Sequence, residues 1–282
     1  MLGQVLRRSI HTERVLQLVS QSLSTKKGRQ LKEIMNHSGL ATSGLKKELV
    51  TRLQNHYERI ITNGNVHGEY IREKALPSSV ISFDLGYRNM AFCHLDSTNT
   101  IRNWIRVDLA LPSFHPSITA PLIRQFVHSQ IAPLMNQAGA VVVEQQRYRS
   151  GGAHSVLEST IRVNAIEAMM WYALEEIRTT NIMLMEPIQR AAVDKTWDEA
   201  LKGWTDESLR RYYGKKKACV VLVNTLLEKK QDILCPDNIL ETYKQEKKQD
   251  DLSDSLLQAM AWYKWRRFSL DMIDATIIEH AE

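Results

Sequence analysis

Ser79–Leu95, SVISFDLGYRNMAFCHL, decides how the chain is read. Ile81, Phe83 and Leu85 alternate with Val80, Ser82 and Asp84, the period of a strand. Gly86-Tyr87 makes a two-residue step into a second apolar run, Met90–Leu95, and alternating runs around a tight turn make a β-hairpin. Asp84 is the exception, a carboxylate near the end of an otherwise apolar strand. Such a charge is costly to desolvate unless it is paired or holds a metal. The simpler reading is a turn cap, a common place for Asp.

Downstream, Ile101–Leu109 (IRNWIRVDL) alternates as a third antiparallel strand. Pro112, Pro116 and Pro121 lead into a helix over Thr119–Gln137. Ala140–Val143 then forms a continuous apolar run, expected of a strand buried on both faces, and Glu144 ends it. Gln145–Gly152 (QQRYRSGG) is a polar, basic loop. His154–Arg178 follows as a long helix with Leu157, Ile161, Ala165, Met169, Tyr172 and Ile177 on one face. Ile182–Met185 predicts a short strand ending before Pro187, and Asp194–Tyr213 shows no assignable period. Lys215, Lys216 and Lys217 precede a helix over Ala218–Lys229. A last helix carries Leu252, Leu256, Ala259, Met260 and Tyr263 and begins with Asp250, Asp251 and Asp254. The order βββαβαβα predicts an α/β fold on a mixed five-stranded sheet, antiparallel in the meander and joined by crossovers afterwards.

Upstream, residues 1–24 carry Arg7, Arg8 and Arg14 against one acid, Glu13, with Leu2, Val5, Leu6 and Ile10 near helical spacing. That is the composition of a mitochondrial transit peptide. Residues 25–60 predict a helical pair. Leu31, Ile34 and Met35 face inward, Gly39 supplies the stop, and Thr42 or Ser43 caps a second helix with Leu45, Leu49, Val50 and Leu53. Lys26, Lys27, Arg29, Lys32, Lys46, Lys47 and Arg52 decorate this unit, and residues 61–77, with Asn63, Gly64, Asn65, Gly68 and Pro77, read as a linker. Residues 78–282 form the main domain.

The 282 residues suffice for one large domain and a small module. A hydrophobic share of 43% with 24% charged residues is ordinary for a globular protein, and no apolar run nears the roughly 20 residues of a membrane span. The net charge of +5 is mild, so its placement matters more than its sum. Cys93, Cys219 and Cys235 have neither C-x-x-C spacing nor even number, which suits a reducing compartment and neither disulfides nor zinc.

Three acidic positions stand at comparable places: Asp84 ending the first strand, Glu144 ending a central one, and Asp250, Asp251 and Asp254 opening the last helix. First strand and first crossover strand are able to lie side by side in a mixed sheet, bringing Asp84 to Glu144. Asp254 shares a helix face with Asp251 (i, i+3) and with Asp250 (i, i+4). Gathered carboxylates repel unless a cation compensates them, and all-oxygen donors suit a hard divalent ion. Two such ions activate a water and stabilise a leaving oxygen in phosphodiester displacement. The rival reading of the last cluster is capping of a helix start.

These residues carry a resemblance. The fold order and acids resemble the RNase H-like superfamily. FDLGYRNMAFC, VVVEQQRYRS and KKQDDLSDSLLQAMAW resemble the fungal mitochondrial Holliday-junction resolvases, which are RuvC-like, over roughly Ser79 to Trp265. LKEIMNHSGLATSGLKKELVTRL resembles the SAP motif, a helix–turn–helix module that binds duplex DNA. The resemblance implies catalytic metal ligands at Asp84, Glu144 and Asp254, with the remaining one on Asp251 or Asp250, RuvC-type spacing favouring Asp251. It also implies two Mg²⁺ or Mn²⁺ ions per site, a homodimer, and paired symmetrical nicks in four-way DNA junctions during mitochondrial recombination. Arg88, Arg147, Tyr148, Arg149 and Lys215–Lys217 are the expected DNA contacts around the site, and Lys46 and Lys47 those of the SAP-like module. Lys247-Lys248 is equally well a solvated turn, and Arg88 with Asn89 is a further candidate for orienting Asp84. Glu158 and Arg162 predict a surface pair, and His154 a structural role. Two other functions fit the same features, a nuclease acting on RNA–DNA hybrids and a non-catalytic SAP-containing DNA-binding protein.

Overall fold

A computed structural model describes residues 10–109, 111, 113–147, 157–178, 184–202, 212–229 and 232–280. The chain divides into two compact units, Met1–Pro77 with Ala261–Glu282, and Ser78–Met260.

The first unit begins with β1 (Ile10–His11), α1 (Thr12–Thr25), α2 (Gly28–His37) and α3 (Lys46–Asn63). It continues with β2 (Asn65–Val66), β3 (Glu69–Tyr70) and α4 (Arg72–Ala75). Its core joins Val15, Val19 and Leu23 to Leu31 and Met35, to Leu49, Leu53 and Ile60, and to Leu270, Ile273 and Ile277 of the last helix. Gly39 ends α2 at φ +71°, where a Cβ would meet the Trp265 ring at 2.3 Å, so backbone and space both require glycine.

Several expected boundaries shift here. Of the leader-like stretch 1–24, residues 1–9 lie outside the described residues. Val15, Leu18, Val19 and Leu23 are buried by α1, so this half is built into the folded unit. Residues 61–77 are not a loose linker. β3 pairs antiparallel with both β1 and β2, Tyr70 and Ala75 are buried, and Arg72 binds Asp271 at 2.6 Å and Asp274. The main domain read as 78–282 also gives up its last twenty-odd residues to this unit's core, because Leu270, Ile273 and Ile277 bury their side chains there.

The second unit holds the five-stranded sheet, order β6-β5-β4-β7-β8 in our numbering, with β4 (Ser79–Leu85), β5 (Asn89–Asp96), β6 (Ile101–Asp108), β7 (Ala140–Gln145) and β8 (Leu184–Gln189). The meander is antiparallel, and β7 lies parallel to β4 and β8 parallel to β7, the mixed sheet expected from the order of elements. The turn after Leu85 is shifted by one residue from Gly86-Tyr87: Leu85 pairs with Met90, and Gly86 N–H donates to Asn89 O at 2.9 Å, leaving Tyr87 and Arg88 at the tip. β8 runs through Pro187 instead of stopping before it. It is an edge strand, paired among the described residues with β7 alone, and an edge position tolerates a residue without an N–H.

Helices follow in chain order: α5 (Pro116–Phe126), a π turn (Val127–Ile131), α6 (Ala132–Met135), α7 (Glu158–Glu176), α8 (Arg190–Lys202), α9 (Tyr212–Lys229), α10 (Asp237–Gln245) and α11 (Gln249–Glu279). The single helix expected over Thr119–Gln137 is broken by the π turn. Pro133 brings no N–H to the usual bond, and Ala132 N–H reaches back five residues to Val127 O. α8 and α9 supply structure for both ends of the stretch without assignable period.

Side-chain alternation sorts the sheet's two faces. Ile81, Phe83, Leu85, Met90, Phe92, Val141 and Val143 pack against Ile123, Phe126, Ile131, Ile166, Met170 and Leu174 of α5, the π turn and α7. The alternate positions of β4, Val80, Ser82 and Asp84, point the other way, and Gln258 Nε2 of α11 donates to Ser82 Oγ at 3.0 Å. Trp104 Nε1 from β6 donates to Leu252 O at 2.9 Å, and Trp197 Nε1 from α8 to Leu257 O at 3.0 Å. These bonds hold the acidic start of α11 over the sheet.

Candidate active site

The parallel register brings the first two acids together. Phe83 lies beside Val143, so Asp84 and Glu144 follow side by side at the carboxyl ends of β4 and β7, both on the face away from the main apolar cluster. Their carboxyl groups share a hydrogen bond. One of two carboxyls so placed must carry a proton, and the Asp84 carboxyl is pushed well above the usual range by burial, then by the charge of Glu144 and of Asp254. Asp254, 8% exposed, stands on the second turn of α11, and burial raises its carboxyl too.

Arg190 completes the group, and nothing in the sequence analysis singled it out. Glu144 lies beside Ile188 in the β7–β8 register, and Arg190 follows two residues later as α8 begins. Its Nη2 donates to Asp254 Oδ1 at 2.8 Å, its Nη1 lies 3.6 Å from Glu144 Oε2, and its Nε lies 3.3 Å from Asp194 Oδ1. Burial alone would lower this guanidinium, but Asp254, Glu144 and Asp84 reverse that and raise it. The available signal was positional, a cation at the carboxyl end of the strand beside the one that carries Glu144. Glu167 was also missed: its Oε2 accepts from Gln146 N–H at 3.0 Å and braces the backbone just after Glu144.

Asp250 and Asp251 stand one turn earlier on α11, around Lys216 of α9. Lys216 Nζ lies 2.5 Å from Asp250 Oδ2 and 3.8 Å from Asp251 Oδ1. Burial would raise Asp250, yet the hydrogen bond and charge of Lys216 hold it below its usual value. Asp251 is raised, by burial and then by Asp250. Lys216 also acts on Asp254 electrostatically, which links the two groups of acids. The Cys219 thiol of α9 lies within hydrogen-bond reach of Asp254, and burial pushes it up to about 12.

The expected DNA contacts separate into distinct placements. Arg147 is exposed directly beyond β7, its carbonyl accepting from Asn164 Nδ2 at 3.0 Å. Lys217 is exposed on α9, and Lys46 and Lys47 are exposed on the first turn of α3. Lys216 is turned toward acids, as above. Arg88 is exposed with its guanidinium 5.4 Å from the centre of the Tyr87 ring. Asn89 Oδ1 accepts from Arg106 Nη1 at 2.8 Å. Tyr148, Arg149 and His154 lie outside the described residues, as does the side chain of Lys215. Glu158 and Arg162 form the expected i, i+4 pair, and Lys247 and Lys248 are exposed.

Among the described residues, no three His, Cys, Asp or Glu side chains stand in ready metal-ligating geometry. The donor chemistry nonetheless suits a hard divalent cation: Asp84, Glu144 and Asp254 offer only oxygens, and one guanidinium leaves their combined charge under-compensated.

The family model described as mitochondrial resolvase Ydc2 / RNA splicing MRS1 matches residues 80–231 and 180–271, more than half of the chain. The chain belongs to this family. The Ydc2/MRS1 match contains all five acids, Arg190 and Lys216, and the SAP domain model matches residues 22–58 ahead of it. A relative, the mitochondrial cruciform cutting endonuclease 1 of Schizosaccharomyces pombe, is 27% identical over 266 residues, covering 86% of this chain and 94% of its own. The crystal structure of the yeast mitochondrial Holliday junction resolvase Ydc2 shares the fold, with a TM-score of 0.57, 24% identity, and coverage of 90% of this chain and 99% of that one.

Proposed function

We propose that the chain is a mitochondrial Holliday-junction resolvase, an endodeoxyribonuclease that hydrolyses phosphodiesters in four-way DNA junctions with a divalent metal. The observation that carries this reading is the convergence of Asp84, Glu144 and Asp254 at the strand ends of a member of the Ydc2/MRS1 family. The cruciform-cutting relative supports both the reaction and the compartment.

Asp84, Glu144 and Asp254 would hold Mg²⁺ or Mn²⁺, two ions per site, with Asp251 as the fourth ligand. Lys216 pairs more closely with Asp250, which leaves Asp251 the freer of the two. When bound, such ions supply an activated water and stabilisation of the leaving oxygen. The chain's own cations position the substrate. Arg147, just past Glu144, and Lys217 offer phosphate contacts that place the backbone without reading sequence, together with Arg88, Tyr148, Arg149 and Lys215. Lys46 and Lys47 would hold a duplex arm through the SAP module. A homodimer with two-fold symmetry matches the near two-fold symmetry of a four-way junction and presents one site to each nicked strand.

The test is a cleavage panel of four-way junction, linear duplex and RNA–DNA hybrid, with Mg²⁺, with Mn²⁺ and with chelator. Paired nicks confined to the junction and dependent on metal are expected. Preferential hybrid cleavage would make it a different RNase H-like nuclease, and no cleavage of any substrate would make it a non-catalytic nucleic-acid binder.

A further inference from the structure

Arg190 is anchored at three points. Asp194, one turn along α8, accepts from Nε at 3.3 Å and aims the guanidinium plane. The Asp254 arm is a closed hydrogen bond at 2.8 Å, whereas the Glu144 arm, at 3.6 Å, is too long for one and acts through charge. The Glu144 and Asp254 side chains are 13% and 7% exposed, so water does little to screen them. The planar fork of arginine is suited to hold two carboxylates at once. These are the same oxygens that the proposed function assigns to the divalent ion.

We propose that Arg190 is the resident counter-ion of the acid pocket, holding Glu144 and Asp254 together in the metal-free protein and competing with the divalent ion for them. The proposal rests on the metal-site reading above. Two cations drawn to the same oxygens oppose each other, and the coupling is reciprocal: the guanidinium weakens ion binding by the factor by which the ion weakens its hold. Arg190 thereby sets the ion concentration at which the site fills. It is a positioning residue, because it acts through the ligands.

The experiment compares the full chain with Arg190→Met, which keeps much of the length and loses the charge, and Arg190→Lys, which keeps the charge and loses the fork. Mn²⁺ binding is counted by electron paramagnetic resonance without DNA, and thermal midpoints are taken in chelator and in Mn²⁺. The Met variant should bind Mn²⁺ roughly tenfold more tightly than the parent. It should melt lower in chelator and recover with Mn²⁺, while the Lys variant falls between. Equal or weaker Mn²⁺ binding by the Met variant overturns the counter-ion role and leaves the metal site standing. No Mn²⁺ binding by either protein overturns the metal-site reading and this proposal with it. Unfolding of the Met variant in chelator that Mn²⁺ reverses supports the role, and unfolding that Mn²⁺ does not reverse overturns it.

Discussion

Gln258 of α11 donates from Nε2 to the carbonyl of Phe83 at 3.1 Å, the residue before Asp84. The same amide reaches Ser82 Oγ, so one buried side chain ties the helix that carries Asp254 to the strand that carries Asp84. Replacing Gln258 by Ala should cost about 1–3 kcal/mol of stability, because a buried acceptor and hydroxyl lose their partner. It should also slow cleavage by up to ~100-fold with little change in junction affinity, since small misplacements of catalytic groups are expensive. Denaturation midpoints and single-turnover cleavage check this, and a variant unchanged in both refutes the brace.

Asp84→Asn and Glu144→Gln should each abolish cutting, with a loss beyond the roughly 100-fold typical of removing an outer partner of a metal. Junction binding measured by gel shift in chelator should persist. Asp84→Asn should melt close to the parent without metal, since burial and the charges of Glu144 and Asp254 already drive the Asp84 carboxyl toward its neutral form. Normal cleavage by either variant would remove that residue from the site.

His94 gives a pH signature remote from the acids. It is 3% exposed on β5, its Nε2 lies 2.8 Å from Ser79 Oγ, and burial, then Arg102, lowers its pKa below the ordinary 6.5. Between the lowered value and 6.5 the unfolded chain binds a proton that the native chain refuses, so this contribution is fully present above pH 6.5 and lost as pH falls below it. Urea midpoints at pH 7.5 and 5.0 should differ more for the parent than for His94→Gln. Identical pH dependence in the two would count against His94.

The SAP module shares its core with the end of the chain. Ile273, fully buried beside Leu31, Leu53 and Ile60, should cost about 2–5 kcal/mol when cut to Ala. Amide exchange should then rise through α2 and α3, far away in sequence. For the same reason, deleting residues 25–60 would expose Leu270, Ile273 and Ile277, so it is not a neutral way to remove duplex affinity.

Point changes serve that purpose better. Lys46→Ala and Lys47→Ala lie on an exposed first turn and should leave folding untouched. Each should reduce the salt dependence of long-arm junction binding by about one unit of slope, as a lost phosphate contact does. Unchanged slopes in both would place the duplex elsewhere.

The primary chain by itself determined the strands and the sites on them. Period-two alternation around Gly86, the Val run before Glu144 and the apolar stripe behind Asp254 are local properties, written in spacing that any burial on one face would enforce. They located three of the pocket's carboxylates without coordinates. Only the tertiary structure decided what neutralises them. Arg190 reaches Glu144 because β8 pairs with β7, Arg190 reaches Asp254 across 64 residues of chain, and Lys216 of α9 reaches Asp250 of α11 across 34, contacts that no local pattern encodes. The fate of α11 was equally non-local: its continuous helix is legible in its residues, but which core receives Leu270, Ile273 and Ile277 depends on the apolar faces that α1, α2 and α3 leave open.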